Sequence, residues 1–237
     1  MQSPSILTEV PVDLLKVYVD TNVFHYLVIG PFPKREHSKR ALTELIRAVQ
    51  TDAIICVTSI IALAEEYDKR KGRAFIKREM DKGNIDWTSS GVRVSDSSIA
   101  DPLDSRTLYR AVRVIRQGLR NSMIRLEDPL DWPTALIDLL CRRSNLHWPD
   151  ALHLAIALVL RCDYVITNDK DFYDETVGRL TSTGGDLHRP VSQILESVYG
   201  LTEERLQRPL IEPLLLRDPS TATVLSSLSG GPPPPTP

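Results

Sequence analysis

This 237-residue sequence has few cysteines, no clustered histidines and no glycine-rich loop. Its three cysteines, Cys56, Cys141 and Cys162, are widely separated, and each lies in or beside an apolar run. Their odd number and spacing argue against a disulfide framework or a zinc site, so we predict reduced, buried thiols. No histidine pair has zinc spacing, and no glycine-rich stretch has the pattern of a phosphate-binding loop.

The sequence also lacks a large net charge and a long apolar run. Its formal net charge of −2 argues against coating of nucleic acid by bulk positive charge, so any basic surface must be local. The longest apolar stretch, residues 151–160, is too short and too interrupted to span a bilayer, and the first ten residues do not resemble a secretory signal. We therefore expect a cytoplasmic protein.

The apolar side chains present, 42% of the chain, suffice for one sizeable core. We predict an N-terminal extension over residues 1–15, one domain over residues 16–200 with a longer helical segment at about 68–146, and a C-terminal extension over residues 201–237. From about residue 218 that extension is rich in Ser, Thr, Gly and Pro, and this composition predicts disorder.

Short β-branched apolar runs alternate with stretches of helical periodicity. Residues 14–19, 53–61 and 164–166 have the profile of buried strands, residues 92–94 could form a third short strand, and residues 187–189 an edge strand. This alternation is typical of an α/β fold with a central, mostly parallel sheet of four or five strands.

Four acidic residues fall where these elements meet. Asp20 and Asp169 follow predicted strands, whereas Glu65 and Asp150 lie at the starts of predicted helices. Ligands of open parallel sheets bind outside the carboxyl ends of the strands, so the four acids could share one cleft. Clustered carboxylates repel one another, and hard divalent cations such as Mg²⁺ or Mn²⁺ relieve that repulsion by taking oxygen ligands. Such cations can activate water, and no side-chain nucleophile is then required.

The order of these acids and their neighbours resembles the PIN family (PilT N-terminal domain-like), including toxin ribonucleases of the VapC type. The resemblance runs from about residue 16 to residue 173. The segments that carry it are Val17-Tyr18-Val19-Asp20-Thr21-Asn22, Val57-Thr58-Ser59 followed by Ala64-Glu65, Asp150-Ala151 before an alanine-rich helix, and Ile166-Thr167-Asn168-Asp169-Lys170-Asp171-Phe172.

The resemblance implies a three-layer α/β/α fold and a Mg²⁺- or Mn²⁺-dependent endoribonuclease that cuts single-stranded RNA. It also implies that the protein could be the toxin of a toxin–antitoxin pair, with an antitoxin protein as partner, and that it could form a homodimer. The metal-binding and catalytic residues by this resemblance are Asp20, Glu65, Asp150 and Asp169; the supporting residues are Asn22, Thr167, Asn168 and Asp171.

Several of these residues also have plainer interpretations. Asp20, Asp150 and Asp169 suit helix caps or turns. Glu65 and Glu66 differ by about 100° around a helix, so only one can face the cleft, and Glu65 is favoured while Glu66 would be solvated.

A predicted amphipathic helix over residues 106–120 carries the best basic surface for RNA. Such a face is more often simply solvated. Its arginines are Arg106, Arg110, Arg113, Arg116 and Arg120.

Two other functions compete with the nuclease. One is a PIN-fold RNA-binding or regulatory protein without catalysis. The other is a phosphohydrolase of the haloacid dehalogenase type, which requires an Asp where this chain has Asn22.

Overall fold

A computed structural model describes residues 14–28, 33–81, 105–144, 146–169, 179–180, 185–202 and 209–230, without the side chains of residues 71–81, 105–109 and 111. The predicted strand at residues 92–94 lies outside this description, as does Asp171.

The sheet has five strands, all parallel to their neighbours, in the order β3-β2-β1-β4-β5. Parallel pairing brings the carboxyl ends of the strands to one edge of the sheet. The central strand β1 is LKVYV, a run of mostly apolar residues as expected for a strand covered on both faces. The strands are β1 (Leu15–Val19), β2 (Ile54–Thr58), β3 (Arg125–Leu126), β4 (Tyr164–Thr167) and β5 (Glu212–Leu215).

Eight helices are described between and after these strands. Pro149 and Pro219 occupy first-turn positions of two of them, where a missing N–H costs nothing. The helices are α1 (Thr21–Val28), α2 (Glu36–Gln50), α3 (Ile60–Asp81), α4 (Ser105–Ser122), α5 (Thr134–Arg143), α6 (Trp148–Val159), α7 (His188–Tyr199) and α8 (Pro219–Leu228).

Two hydrophobic cores, one on each face of the sheet, make the three layers. Successive side chains of β1 point to opposite faces: Tyr18 joins the core formed with α5, α6 and α7, whereas Val17 and Val19 join the core formed with α1, α2, α4 and α8. This arrangement confirms the expected α/β/α fold with a parallel sheet.

The prediction of an edge strand at residues 187–189 is wrong. His188 begins helix α7, and Leu187, Val191 and Leu195 are buried. Their four-residue spacing is helical, and burying this stripe against α5 and α6 outweighs the local strand propensity.

The predicted disorder from about residue 218 is wrong over α8. Asp218 caps this helix by accepting a hydrogen bond from the Ser220 backbone N–H at 2.8 Å. Ala222 and Leu225 are buried in the core shared with α2. The sheet also continues beyond the predicted domain boundary at residue 200, because β5 lies at residues 212–215.

Candidate active site

Asp20 occupies the carboxyl end of the central strand and is held on both sides. It directly follows β1 and is 7% exposed. Its Oδ1 accepts the backbone N–H of Thr21 at 2.6 Å, and its Oδ2 accepts the hydroxyl of Thr167 at 2.8 Å. The same Thr167 hydroxyl oxygen accepts the backbone N–H of Asp169 at 3.0 Å. One threonine therefore connects two of the predicted acids.

Glu65 faces Asp20 from the second turn of α3. Its Oε2 accepts the Thr21 hydroxyl at 2.5 Å and lies 3.4 Å from His153 Nε2. Burial raises the pKa of Glu65, but the hydrogen bond and charge of His153, together with Thr21 and Lys69, outweigh burial and bring the pKa below its ordinary value. Glu65 is thus held as a carboxylate beside Asp20.

Glu66 points elsewhere, as the register argument requires, but it is not solvated. It is fully buried between His25 Nδ1 and Arg70 Nε, each 3.0 Å from one of its oxygens. A buried carboxylate needs paired donors, and this one joins α1 to α3. The expectation of a solvated Glu66 is therefore wrong.

Asp150 lies in the first turn of α6, which begins at Trp148 after the N-cap residue His147. Asp150 is thus two residues inside the helix and is not its N-cap. Burial raises its pKa, and the charges of Asp169 and Asp20 raise it further, to about 6, against a lowering by His153. This repulsion shows that Asp20, Asp150 and Asp169 act electrostatically on one another.

His153 is a buried part of this site that is not among the site residues predicted from the sequence. It is 1% exposed, and its Nδ1 lies 2.7 Å from the Tyr18 hydroxyl. Burial lowers the pKa of His153, but the hydrogen bond to Glu65 and the charges of Asp20, Glu65 and Asp150 outweigh burial and raise it. Its place one turn after Asp150 on α6 was the available sequence signal, since residues three apart share a helix face.

Tyr18 completes the buried network below the carboxylates. Its hydroxyl also lies 2.8 Å from Ser59 Oγ, and both residues are fully buried. Burial, the first of several causes, raises the pKa of Tyr18 well above its ordinary value. Tyr18 therefore remains a neutral phenol that links β1, α6 and the residue after β2.

The two predicted supporting asparagines lie beside the acids but line a neighbouring cavity. Asn22 Oδ1 accepts a hydrogen bond from Lys69 Nζ at 3.2 Å. Asn168 stands between Thr167 and Asp169 in the chain. The roles of these asparagines toward a carboxylate or a water stay predictions.

No three Asp, Glu, His or Cys side chains of the described residues meet closely enough, as placed, to hold a metal ion. The donor chemistry fits a hard divalent cation even so. Asp20, Asp150 and Asp169 offer carboxylate oxygens only, and their mutual repulsion is the electrostatic cost that such a cation removes.

The predicted arginine face lies on α4, although the side chain of Arg106 is outside the described part. The other four arginines are exposed, while Ile115 and Gly118 on the opposite face are buried. Val112 on the same helix is 41% exposed. The exposed arginines are Arg110, Arg113, Arg116 and Arg120.

Among the described residues, none of the three cysteines forms a disulfide; Cys56 and Cys162 are buried, as predicted, whereas Cys141 is half-buried. Burial raises the pKa of the Cys56 thiol to about 12, so it is not a ready nucleophile. No helix in the described ranges combines the length and apolarity needed to cross a membrane.

Comparison with known proteins agrees with this geometry. A search of curated proteins found no match to the chain. The family model of the PIN domain matches residues 17–176, more than half of the sequence, and its match contains Asp20, Glu65, Asp150 and Asp169. The chain therefore belongs to the PIN domain family.

Proposed function

We propose that this protein is a metal-dependent endoribonuclease that hydrolyses phosphodiester bonds of single-stranded RNA. PIN domains are typically nucleases that act on nucleic acids and generally use divalent metal ions. The observation that carries the proposal is the geometry at the carboxyl edge of the sheet, where the Thr167 hydroxyl donates to Asp20 at 2.8 Å and accepts the Asp169 backbone N–H at 3.0 Å. The charges of Asp169 and Asp20 also act to raise the pKa of Asp150.

In this proposal Asp20, Glu65, Asp150 and Asp169 hold Mg²⁺ or Mn²⁺. The metal, when bound, would lower the pKa of a water and stabilise the charge that develops on phosphorus. Water attacks phosphorus in line and the 3′ oxygen leaves, so the products carry 5′-phosphate and 3′-hydroxyl ends.

The protein's own residues position the carboxylates for this reaction. Thr167 and the Thr21 backbone hold the two oxygens of Asp20, and the Thr21 hydroxyl holds Glu65. His153, anchored by Tyr18, sets the position of Glu65. Such hydrogen bonds fix the direction from which carboxylates meet a cation.

The described residues near the site favour attack by water over attack by a side chain. Ser59 is fully buried, and its hydroxyl is bonded to Tyr18, which leaves it no base and no access to substrate. Cys56 is buried and has a pKa of about 12. Catalysis by the acidic cluster is therefore the chemistry this site supports best.

The test is cleavage of an end-labelled single-stranded RNA by purified protein in Mg²⁺, Mn²⁺ or EDTA. Asp20→Asn and Asp169→Asn should each abolish metal-dependent cutting while keeping the melting transition. Asp138→Asn, which changes an exposed carboxylate on α5, is the matched control and should cut as the wild type does. The ends of the products are identified by enzymatic labelling.

The competing function is an RNA-binding PIN protein without catalysis. Absence of cutting with any metal, together with absence of metal binding by calorimetry, would replace the nuclease proposal with this one. Retained cutting in Asp20→Asn would show that a contaminant or another site is responsible.

The toxin role, the antitoxin partner and the homodimer stay predictions of the family resemblance. If the protein is a toxin, expression should arrest growth, and Asp20→Asn should relieve the arrest. Light scattering of the purified chain would test the homodimer.

A further inference from the structure

A cavity of about 700 Å³ opens beside the acidic cluster, and its lining is basic. None of the described residues that line it is acidic, and four carry a full positive charge. Those four are Lys34, Arg35, Lys69 and Arg217. A concave surface with charge of one sign concentrates the opposite charge, so this cavity favours an anion.

The cavity adjoins the candidate active site through residues on three elements. Asn22 lies two residues after Asp20 on α1, and Asn168 directly precedes Asp169. Lys69 lies one helical turn after Glu65, donates to Asn22 Oδ1 at 3.2 Å, and its charge helps to lower the pKa of Glu65. An anion bound here therefore sits next to the acids, but on separate residues.

Arg217 supplies the second observation. Its Nη2 is buried and has no hydrogen-bond partner among the described residues. A buried N–H without an acceptor is costly, and a bound ligand or an ordered water is one way in which such a group is completed. The planar guanidinium is also the side chain best suited to phosphate oxygens.

Arg217 is the one described lining residue of this cavity that lies outside the family match. Arg217 follows β5 and precedes α8, beyond residues 17–176 that match the family model. It reaches the cavity only because the C-terminal segment returns to the sheet edge beside β4 and packs on α2. Among the described lining residues, Arg217 is therefore the one contributed by the segment beyond the family match, whereas Lys34, Arg35 and Lys69 lie within it.

We propose that this cavity binds a phosphate group of single-stranded RNA other than the one that is cleaved, with Arg217 as its main ligand. The proposal rests on the proposed function for the identity of the RNA substrate. The phosphate is an internal diester or a terminal 5′-monoester, two sources that share the same charge chemistry. Lys34 and Arg35, both exposed beside the start of α2, add charge at its rim.

The test measures RNA binding in EDTA, where cutting is not needed, by fluorescence anisotropy over a series of salt concentrations. Arg217→Gln should weaken binding about tenfold, as expected for loss of one charged hydrogen bond. The slope of log affinity against log salt should fall by about 0.7 for each lost phosphate contact with a single strand. Arg217→Lys should restore the slope but only part of the affinity.

Two further variants control for bulk charge and for folding. Arg142→Gln removes one exposed positive charge from α5 and should leave affinity and slope unchanged. The double variant Lys34→Gln/Arg35→Gln should weaken binding as Arg217→Gln does, although it leaves Arg217 unchanged. Equal weakening by Arg142→Gln and Arg217→Gln, or unchanged binding in Arg217→Gln, would overturn the proposal.

RNAs of one sequence with a 5′-hydroxyl or a 5′-phosphate separate the two sources. Equal sensitivity to Arg217→Gln assigns the cavity to an internal diester, and sensitivity only with the 5′-phosphate assigns it to the chain end. Binding through Arg217 without any cutting would retain the cavity and remove the nuclease. If Asp20→Asn abolishes cutting but Arg217→Gln leaves RNA binding unchanged, the nuclease proposal is retained and the cavity proposal is rejected.

Discussion

Thr167 shows how a small buried residue can organise the whole candidate site. Its hydroxyl donates to Asp20 Oδ2 at 2.8 Å and accepts from the Asp169 backbone N–H at 3.0 Å. Because a hydroxyl has one donor and acceptor lone pairs, the two bonds are compatible and fix its rotamer. It thereby sets the separation of the two strand-end acids.

Thr167→Val removes both hydrogen bonds and keeps the shape of the side chain. We expect kcat/KM for RNA cleavage to fall about 10- to 100-fold, the usual cost of losing a group that orients a metal-binding carboxylate. The measurement is the initial rate of cleavage over a range of Mg²⁺ concentrations. The same experiment gives the apparent metal affinity, which should be weakened.

Thr221→Val is the matched control for this prediction. Thr221, on α8, is also buried, and its hydroxyl donates to the Leu215 carbonyl at 2.7 Å. It should cost about 1 kcal/mol of stability and leave kcat/KM unchanged. Equal losses of activity in the two variants would reject the specific role of Thr167.

Helix α4 approaches α1 closely because it carries a glycine at the contact. A Cβ added at Gly118 would lie 1.8 Å from Val28 Cγ1 and 2.7 Å from the Val28 carbonyl oxygen. The backbone oxygen cannot move aside as a flexible side chain could, so the two helices would have to separate.

Gly118→Ala should destabilise the protein by about 1–3 kcal/mol through overpacking, even though alanine favours an isolated helix by about 1 kcal/mol. Urea denaturation measures the effect. Gln117→Ala, an exposed neighbour on α4, should instead change stability by less than about 0.5 kcal/mol. A more stable Gly118→Ala variant would contradict the described packing.

Helix α8 contributes to the core although its composition is that of a linker. Leu225 is fully buried with residues of α2, so Leu225→Ala should cost about 2–5 kcal/mol in urea denaturation. Thr223→Ala, on the exposed side of α8, should be close to neutral. Equal stability of the two variants would mean that α8 is not docked in solution.

The stability of the whole molecule should depend on pH through the acidic cluster. The folded pKa of Asp150, about 6, exceeds the ordinary aspartate value of about 3.9. Between these values the folded state binds more protons, so metal-free protein loses stability as pH rises from about 4 through 6. His153 adds a loss of the same sign as pH rises through its raised pKa. Glu65 has a lowered pKa and acts in the opposite sense, because its contribution to stability is lost as pH falls through the acidic range.

We expect metal-free protein to be less stable at pH 8 than at pH 5, with Asp150 contributing about 1 kcal/mol or less after allowance for its partial exposure. Urea denaturation in EDTA at both pH values gives the difference. Asp150→Asn should reduce this difference, whereas Asp138→Asn should keep it. An unchanged pH dependence in Asp150→Asn would place Asp150 away from the other acids.

The sequence by itself determined the α/β class, three buried strands and the positions of four acids at element ends. These features are local, since a continuous β-branched run is typical of a strand covered on both faces, and an acid that follows such a strand lies at the sheet edge. The family pattern added the order of the acids. The prediction of disorder from about residue 218 failed over α8 because this helix is stabilised mainly by packing on α2, which its composition does not reveal.

Only the tertiary structure decided which partners those residues have. It turned Glu65 toward Thr21 and His153, and buried Glu66 between His25 and Arg70. It also brought Arg217 into the cavity beside the acids, although Arg217 lies almost fifty residues after Asp169 in the chain. Such pairings depend on the crossing of elements distant in sequence, which neither periodicity nor spacing along the chain contains.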